Sequence, residues 1–222
     1  MRTALLAAVS HDLRTPLASA KAAVASLRSA DVDFDAYDRG ELLATADESL
    51  DRLTRLVTNL LDMSRLQAGA LGVTAMDVGA EEVVPRALDD LGPAGRSVTV
   101  HLPDGLPYLR ADPGLLERIV VNLVANALRH SPAGRAPMVT ASALGDTVEI
   151  RVIDHGPGIP RDRWADVFLP FQRLGDRDNH TGVGLGLALS RGLTEAMGGT
   201  LTPEETPGGG LTMTLALPRA GT

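Results

Sequence analysis

The chain has 222 residues, enough for one or two domains, with 28 acidic against 21 basic residues and a net charge of −7, which argues against a general nucleic-acid binder. It contains no cysteine, which excludes a disulfide framework and a thiolate metal site. Hydrophobic residues make up 44% but aromatics only 3%, so a sizeable core must come from Leu, Val, Ala and Ile, and no apolar run reaches the ~18 residues of a membrane span.

A helical pattern is under way by residue 4, with no N-cap and no signal peptide ahead of it. The chain is therefore expected to be the C-terminal piece of a longer protein. From Thr3 to Ser29 the apolar positions Leu6, Val9, Leu13, Leu17, Ala20, Val24 and Leu27 are spaced 3, 4, 4, 3, 4 and 3, which is a helical seam. At about 100° per residue, His11 lies about 160° from Leu13, on the face opposite that seam. Thr15 shares the face of His11, and Pro16 is expected to bend the helix. Residues 30–40 are acidic and read as a loop. A second helix is expected from about Glu41 to Gln67, with Gly69 as its stop. Two helices with such broad apolar faces imply a hairpin that pairs with a second copy as a four-helix bundle.

After Gly69 the texture changes. Short strands are expected at Gly72–Asp77, Ser97–Leu102 and Tyr108–Ala111, with a helix near Ala80–Leu91. Asp112-Pro113 fits an N-cap followed by proline, opening a helix to about Arg129. Strands at Met138–Leu144 and Thr147–Asp154 flank Gly145-Asp146 as a hairpin. A short helix is expected near Arg161–Phe168, a polar loop at Gly175–Thr181, and a helix from about Gly184 to Met197. Final strands lie near Thr200–Pro203 and Leu211–Leu217, joined by a Pro-Gly-Gly-Gly turn. The sum is an α+β chain: a helical hairpin followed by an α/β sandwich with its helices on one face.

Four clusters can carry chemistry. His11 alone reads as a surface histidine, but Asp12 can accept from one ring nitrogen and leave the other as a nucleophile. Asn122 and Asn126 share a helix face with His130 a turn beyond; they suit Mg²⁺ and nucleotide phosphates, or form an exposed polar stripe. Asp154-His155-Gly156-Pro157-Gly158 follows a strand, and its glycines admit a ligand close to the backbone. There Asp154 could accept from an adenine amine, or the stretch is a common tight turn, and His155 reads as a surface residue. Gly182-Val183-Gly184-Leu185-Gly186 enters the last helix, where exposed N–H groups attract an anion, or it is a hinge. It is neither a Rossmann fingerprint nor a P-loop.

Taken together in this order, the clusters resemble the histidine protein kinases of two-component signalling, over nearly the whole chain. Ser10 to Leu17 resembles the phosphoacceptor box, Asn122 to His130 the N box and Asp154 to Ile159 the first glycine box. Phe168 to Arg173 resembles the phenylalanine box, and Gly182 to Gly186 the second glycine box. The wider ATPase superfamily of gyrase, the Hsp90 chaperones and MutL shares only the ATP-site boxes. Ala4 to His11, Phe171 to Asp176 and Met197 to Pro203 further resemble the Kdp-type osmosensitive potassium-channel sensor kinases.

The resemblance implies a dimerisation and phosphoacceptor hairpin over residues 1–68 and an ATP-binding domain over residues 70–219. It implies that His11 takes the γ-phosphate of ATP, with Asp12 as its base and Thr15 aligning a water for the partner's dephosphorylation. Asn126 would hold Mg²⁺ beside Asn122, and Arg129 would meet the phosphates. His130 stands where the family often has a tyrosine that stacks on adenine. Asp154 would read the adenine amine, Gly156 and Gly158 would leave room for the base, and Arg173 would reach the γ-phosphate. Residues 174–181 would form a lid, with Gly182, Gly184 and Gly186 at its phosphate-facing end. The implied partners are a second copy and the receiver domain of a response regulator. The implied place is the cytoplasmic side of a bacterial membrane sensor.

Overall fold

The computed structural model describes residues 2–29, 33–170 and 184–221, with side chains from Val9 onward. Helices α1 (Arg2–Arg28) and α2 (Ala36–Gln67) form the expected hairpin, and α1 runs through Pro16. Helix α2 starts five residues earlier than its apolar pattern. The reason is Asp35, whose carboxylate accepts from Asp38 N at 2.8 Å and caps the first turn. At the other end Gly69 takes φ 63°, so that Gly69 N bonds Leu66 O and Ala70 N bonds Arg65 O, a Schellman stop.

The seam of α1 divides on contact with α2. Pro16, Ala20 and Ala23 are buried and Val9, Leu13 and Leu27 half-buried, whereas Leu17 and Val24 stay exposed. Leu43, Leu50, Val57 and Leu61 of α2 are exposed as well. The hairpin therefore keeps an apolar face that its own two helices do not cover.

The second part contains β1 (Met76–Val78), α3 (Ala80–Asp90), β2 (Thr99–His101), β3 (Leu109–Ala111), α4 (Pro113–His130), β4 (Met138–Leu144), β5 (Thr147–Ile153), α5 (Gly186–Ala196), β6 (Thr200–Glu205) and β7 (Leu211–Pro218). A five-stranded sheet runs β2-β4-β5-β7-β6, parallel at β2–β4 and antiparallel elsewhere, and β1 pairs with β3 as a separate ribbon. Alternate residues Val148, Ile150 and Val152 of β5 and Leu211, Met213, Leu215 and Leu217 of β7 meet the apolar stripes of the helices. From α4 these are Leu116, Ile119, Val120, Leu123 and Val124; from α5, Leu189 and Leu193. Each such side chain contributes roughly 1.5–3 kcal/mol of burial.

Asp112 caps α4 as expected, accepting from Gly114 N and Leu115 N at 3.1 Å. Its second oxygen takes Thr74 N at 2.9 Å, tying the chain after the hairpin to the start of α4. The expected helix at Arg161–Phe168 is instead two short 3₁₀ turns, Arg161–Arg163 and Asp166–Phe168. The backbone bonds here run from i to i−3, Trp164 N to Arg161 O and Leu169 N to Asp166 O, which is the tighter 3₁₀ winding used in short pieces. The loop expected at Gly175–Thr181 lies outside the described residues. No helix among the described residues is long and apolar enough to cross a membrane.

Candidate active site

His11 is exposed on α1, and the carboxylate beside it is not. Asp12 is 8% exposed, and its Oδ1 lies 3.2 Å from His11 Nδ1. A carboxylate only accepts, so Nδ1 carries the proton in this pair and Nε2 keeps its lone pair. Helix geometry put His11 on the open face; the burial of Asp12 is a product of the tertiary fold. Thr15 is on the same open face, with its hydroxyl donating to His11 O at 3.2 Å.

A cleft of about 1000 Å³ opens between α2, α4 and the start of α5. Asn122, Asn126, Arg129, His130, Asp154, Gly184 and Gly186 all line it, so the tertiary fold brings these expected site residues together. Arg173 and Gly182 lie outside the described residues. His11 is not among the residues that line the cleft.

Asp154 follows β5 and is buried. Its Oδ1 accepts from Gly156 N at 2.8 Å and from Leu211 N at 3.0 Å, while its own N–H donates to Leu211 O at 2.9 Å. With Oδ1 held by two backbone donors, the second carboxylate oxygen remains to accept from a ligand amine. Gly156 needs its hydrogen side chain, because a Cβ there would fall 2.6 Å from His130 O. His155 is half-buried, and its backbone N–H donates to Ser131 Oγ at 3.4 Å.

One residue packed against this turn, from the β6–β7 connection, was not anticipated. Gly210 has φ 120°, and a Cβ on it would fall 2.0 Å from Asp154 O. A Cβ on Gly158 would in turn lie 2.9 Å from Gly210 O. The run of three glycines at 208–210 was the only signal, and by itself it reads as a hairpin loop.

On the opposite wall Asn122 is half-buried, and its Nδ2 is buried without a hydrogen-bond partner among the described residues. A buried amide donor left open in a cleft is a place for an acceptor on a ligand. A Cβ on Gly186 would lie 3.9 Å from its side chain, so it faces the first turn of α5, which offers open N–H groups. Asn126 is half-buried, and its Oδ1 lies 3.5 Å from Arg129 Nη1. Arg129 and His130 are exposed at the rim. This donor set fits a nucleotide, with polar amides and a helix N-terminus for phosphates and a buried acid for the base.

Ile159, which lines the cleft, is braced from outside it. Trp164 Nε1 donates to Ile159 O at 2.9 Å, and Arg161 lies over the Trp164 ring at 5.4 Å. Arg161 also makes two hydrogen bonds of 3.1 Å to Glu205 of β6. Those bonds and the adjacent charge hold the Glu205 carboxyl below its ordinary range and raise the Arg161 guanidinium.

Comparison with known proteins agrees with this geometry. The model described as "His Kinase A (phospho-acceptor) domain" matches residues 1–69, and "Histidine kinase-, DNA gyrase B-, and HSP90-like ATPase" matches residues 111–221. The chain is 54% identical over 220 residues to "Sensor protein KdpD" of Rathayibacter rathayi, covering 99% of this chain and 26% of that protein. It is 50% identical over 223 residues to the protein of the same description from Mycobacterium tuberculosis, covering 98% of this chain and 26% of that one. The chain thus spans about a quarter of the length of these relatives. Among solved structures, full-length ShkA in complex with AMPPNP is similar at TM-score 0.70 and 30% identity, over 98% of this chain and 46% of that one. The histidine kinase AdeS of Acinetobacter baumannii shares the fold at TM-score 0.71 and 22% identity, over 95% of this chain and 98% of that one. The chain therefore belongs to the histidine kinases of two-component sensors, with a phospho-acceptor hairpin joined to an ATPase domain of the histidine kinase, gyrase B and HSP90 type.

Proposed function

We propose that the chain works as two units, with residues 1–68 presenting His11 and residues 70–219 delivering ATP to it. The observation that carries this reading is the pairing of exposed His11 with buried Asp12, on a chain that also builds a cleft fitted to a nucleotide. Asp12 holds the proton on Nδ1, which directs the Nε2 lone pair outward. Nε2 attacks the γ-phosphorus, the bond from that phosphorus to the bridging oxygen breaks, and ADP leaves with the electron pair. Asp154 accepts from the adenine amine, and His130 stacks on the base at the rim. Gly156 and Gly158 keep the base pocket open. Asn122, Arg129, Gly184 and Gly186 bind the phosphates, joined by Arg173 and Gly182. Asn126 would hold Mg²⁺, which neutralises charge on the phosphates when bound.

The phosphoryl group then passes from His11 to an aspartate of a response regulator receiver domain. Thr15 serves the reverse task of aligning water for dephosphorylation, and its hydroxyl must first leave the His11 carbonyl. The uncovered apolar face of the hairpin, with Leu17, Val24, Leu43, Leu50 and Leu61 exposed, supports a homodimer built as a four-helix bundle. The resemblance to Kdp-type sensors supports a potassium or osmotic input, and a place on the cytoplasmic side of a bacterial membrane sensor.

The test is incubation with γ-labelled ATP and Mg²⁺, for the chain and for His11→Gln. Acid-labile, base-stable label on the chain and none on the variant is expected. Equal labelling of the variant refutes the role of His11. ATP turnover without label would point to an ATPase of another output.

A further inference from the structure

Asp154 and Ile159 both line the cleft, and the turn between them is held at its start, its middle and its end. At the start, Asp154 Oδ1 accepts at 3.0 Å from the N–H of Leu211, the first residue of β7. In the middle, Gly158 has φ 69° and lies so close to Gly210 that a Cβ would fall 2.9 Å from the Gly210 oxygen. At the end, Ile159 O accepts from Trp164 Nε1 at 2.9 Å. Arg161 lies over the indole at 5.4 Å and reaches on to Glu205 with two bonds of 3.1 Å. Glu205 is the last residue of β6 and stands opposite Leu211 in the β6–β7 ladder. The contacts therefore close into a ring: Asp154, Leu211, Glu205, Arg161, Trp164, Ile159, and back along the turn to Asp154.

Arg161 and Glu205 are exposed, so their pair adds little to stability. A guanidinium that grips both carboxylate oxygens nevertheless fixes direction as well as distance. Trp164 is half-buried, and its indole nitrogen can only donate, so the Ile159 carbonyl is held at one point. None of Arg161, Trp164 and Glu205 lines the cleft. Their effect on a nucleotide must pass through Ile159 and the turn. The groups on the phosphate side, Asn122 of α4 and Gly186 of α5, stand on elements outside the ring. A hydrogen bond to a base edge weakens steeply when misaligned, so the ring acts on the base and spares the phosphates.

We propose that Trp164, backed by Arg161 and Glu205, is a positioning residue for the purine base: it fixes Ile159 relative to Asp154 and so sets the affinity for the base. The proposal rests on the nucleotide reading of the cleft above. Trp164→Phe keeps an aromatic ring and removes the N–H donor. The ATP concentration for half-maximal His11 labelling should rise about 3- to 10-fold, for one lost hydrogen bond, while the rate at saturating ATP stays within about twofold. Calorimetric titration should show the same loss for ATP and none for Mg²⁺-tripolyphosphate, which carries the phosphates without a base. Glu205→Ala, at an exposed site, should raise the half-maximal ATP concentration about twofold and again spare tripolyphosphate. The double variant should lose no more than about the larger single effect, because both changes open one ring. An unchanged ATP requirement in either single variant overturns the proposal. Equal losses of ATP and tripolyphosphate binding also overturn it, as do single losses that multiply in the double variant. A parent chain that binds tripolyphosphate as tightly as ATP refutes the base pocket itself, before any variant is made, and the proposal with it.

Discussion

Alanine at Gly210 tests whether the β6–β7 turn is the back wall of the base pocket. Gly208, Gly209 and Gly210 have φ of 87°, 101° and 120°. Alanine at any of them therefore carries ~1–2 kcal/mol of backbone strain. At Gly208 and Gly209 nothing lies within 4 Å of the added methyl, so strain is the whole cost. At Gly210 the Cβ would sit 2.0 Å from Asp154 O and 2.9 Å from His155 Cα, and backbone cannot swing aside as a side chain can. The two turns must part. The bonds at risk are Asp154 N to Leu211 O, Leu211 N to Asp154 Oδ1 and Thr206 N to Gly210 O. At ~1 kcal/mol each they add about 3 kcal/mol.

A chain of this size loses roughly 2–4 °C of melting temperature per kcal/mol. By that scale Gly210→Ala should melt about 6–12 °C below Gly208→Ala. It should also bind a fluorescent ATP analogue at least ~10-fold more weakly, because Asp154 loses a backbone donor that aims it. Thermal unfolding by circular dichroism and an equilibrium titration measure the two effects. If Gly210→Ala melts with Gly208→Ala and binds nucleotide like the parent, the contact between these turns has no role in the pocket.

Three other substitutions probe separate parts of the site. Asp154→Asn keeps an oxygen for Gly156 N and Leu211 N but turns a donor toward the adenine amine. Loss of a charge-assisted bond worth ~1.5–3 kcal/mol should weaken ATP binding by about 10- to 150-fold, and unchanged affinity removes Asp154 from the site. Thr15→Ala should leave His11 labelling within about twofold of the parent, since Thr15 only bonds its own helix, and slow dephosphorylation of the regulator. Equal loss of both activities would assign Thr15 to helix structure. Glu205→Gln should lower the melting temperature slightly at neutral pH. The folded-state carboxyl is held below its ordinary value of 4.5, so the stabilisation is present above that value and is lost as the pH falls through the depressed one. The gap between variant and parent should therefore close in acid, and a gap constant with pH would show that the Arg161 pair does not contribute.

Much of the site was legible because its parts are local. Asn122 and Asn126 share a face by helical spacing alone, and Asp154 follows a strand whose alternation is plain. Asp112-Pro113 marks the start of α4, and Gly69 marks the end of α2. Periodicity missed what polar contacts decide. Asp35 advanced the start of α2 through a side-chain cap that the apolar pattern does not report. Arg161 to Phe168 became two 3₁₀ turns because Trp164 and Arg161 bond outward to Ile159 and Glu205.

The sequence by itself determined the helical hairpin, the order of the ATP-site motifs and the open face that carries His11. Periodicity and short-range chemistry specify which residues share a face, and these features need nothing more. The tertiary structure decided which faces meet. It buried Asp12 beside His11, split the α1 seam into a covered and an uncovered half, and set Gly210 against Asp154. It also placed Arg118 on Asp62, 56 positions earlier in the chain. Helix phase is set within a turn, but the pairing of two faces depends on the packing of everything between them.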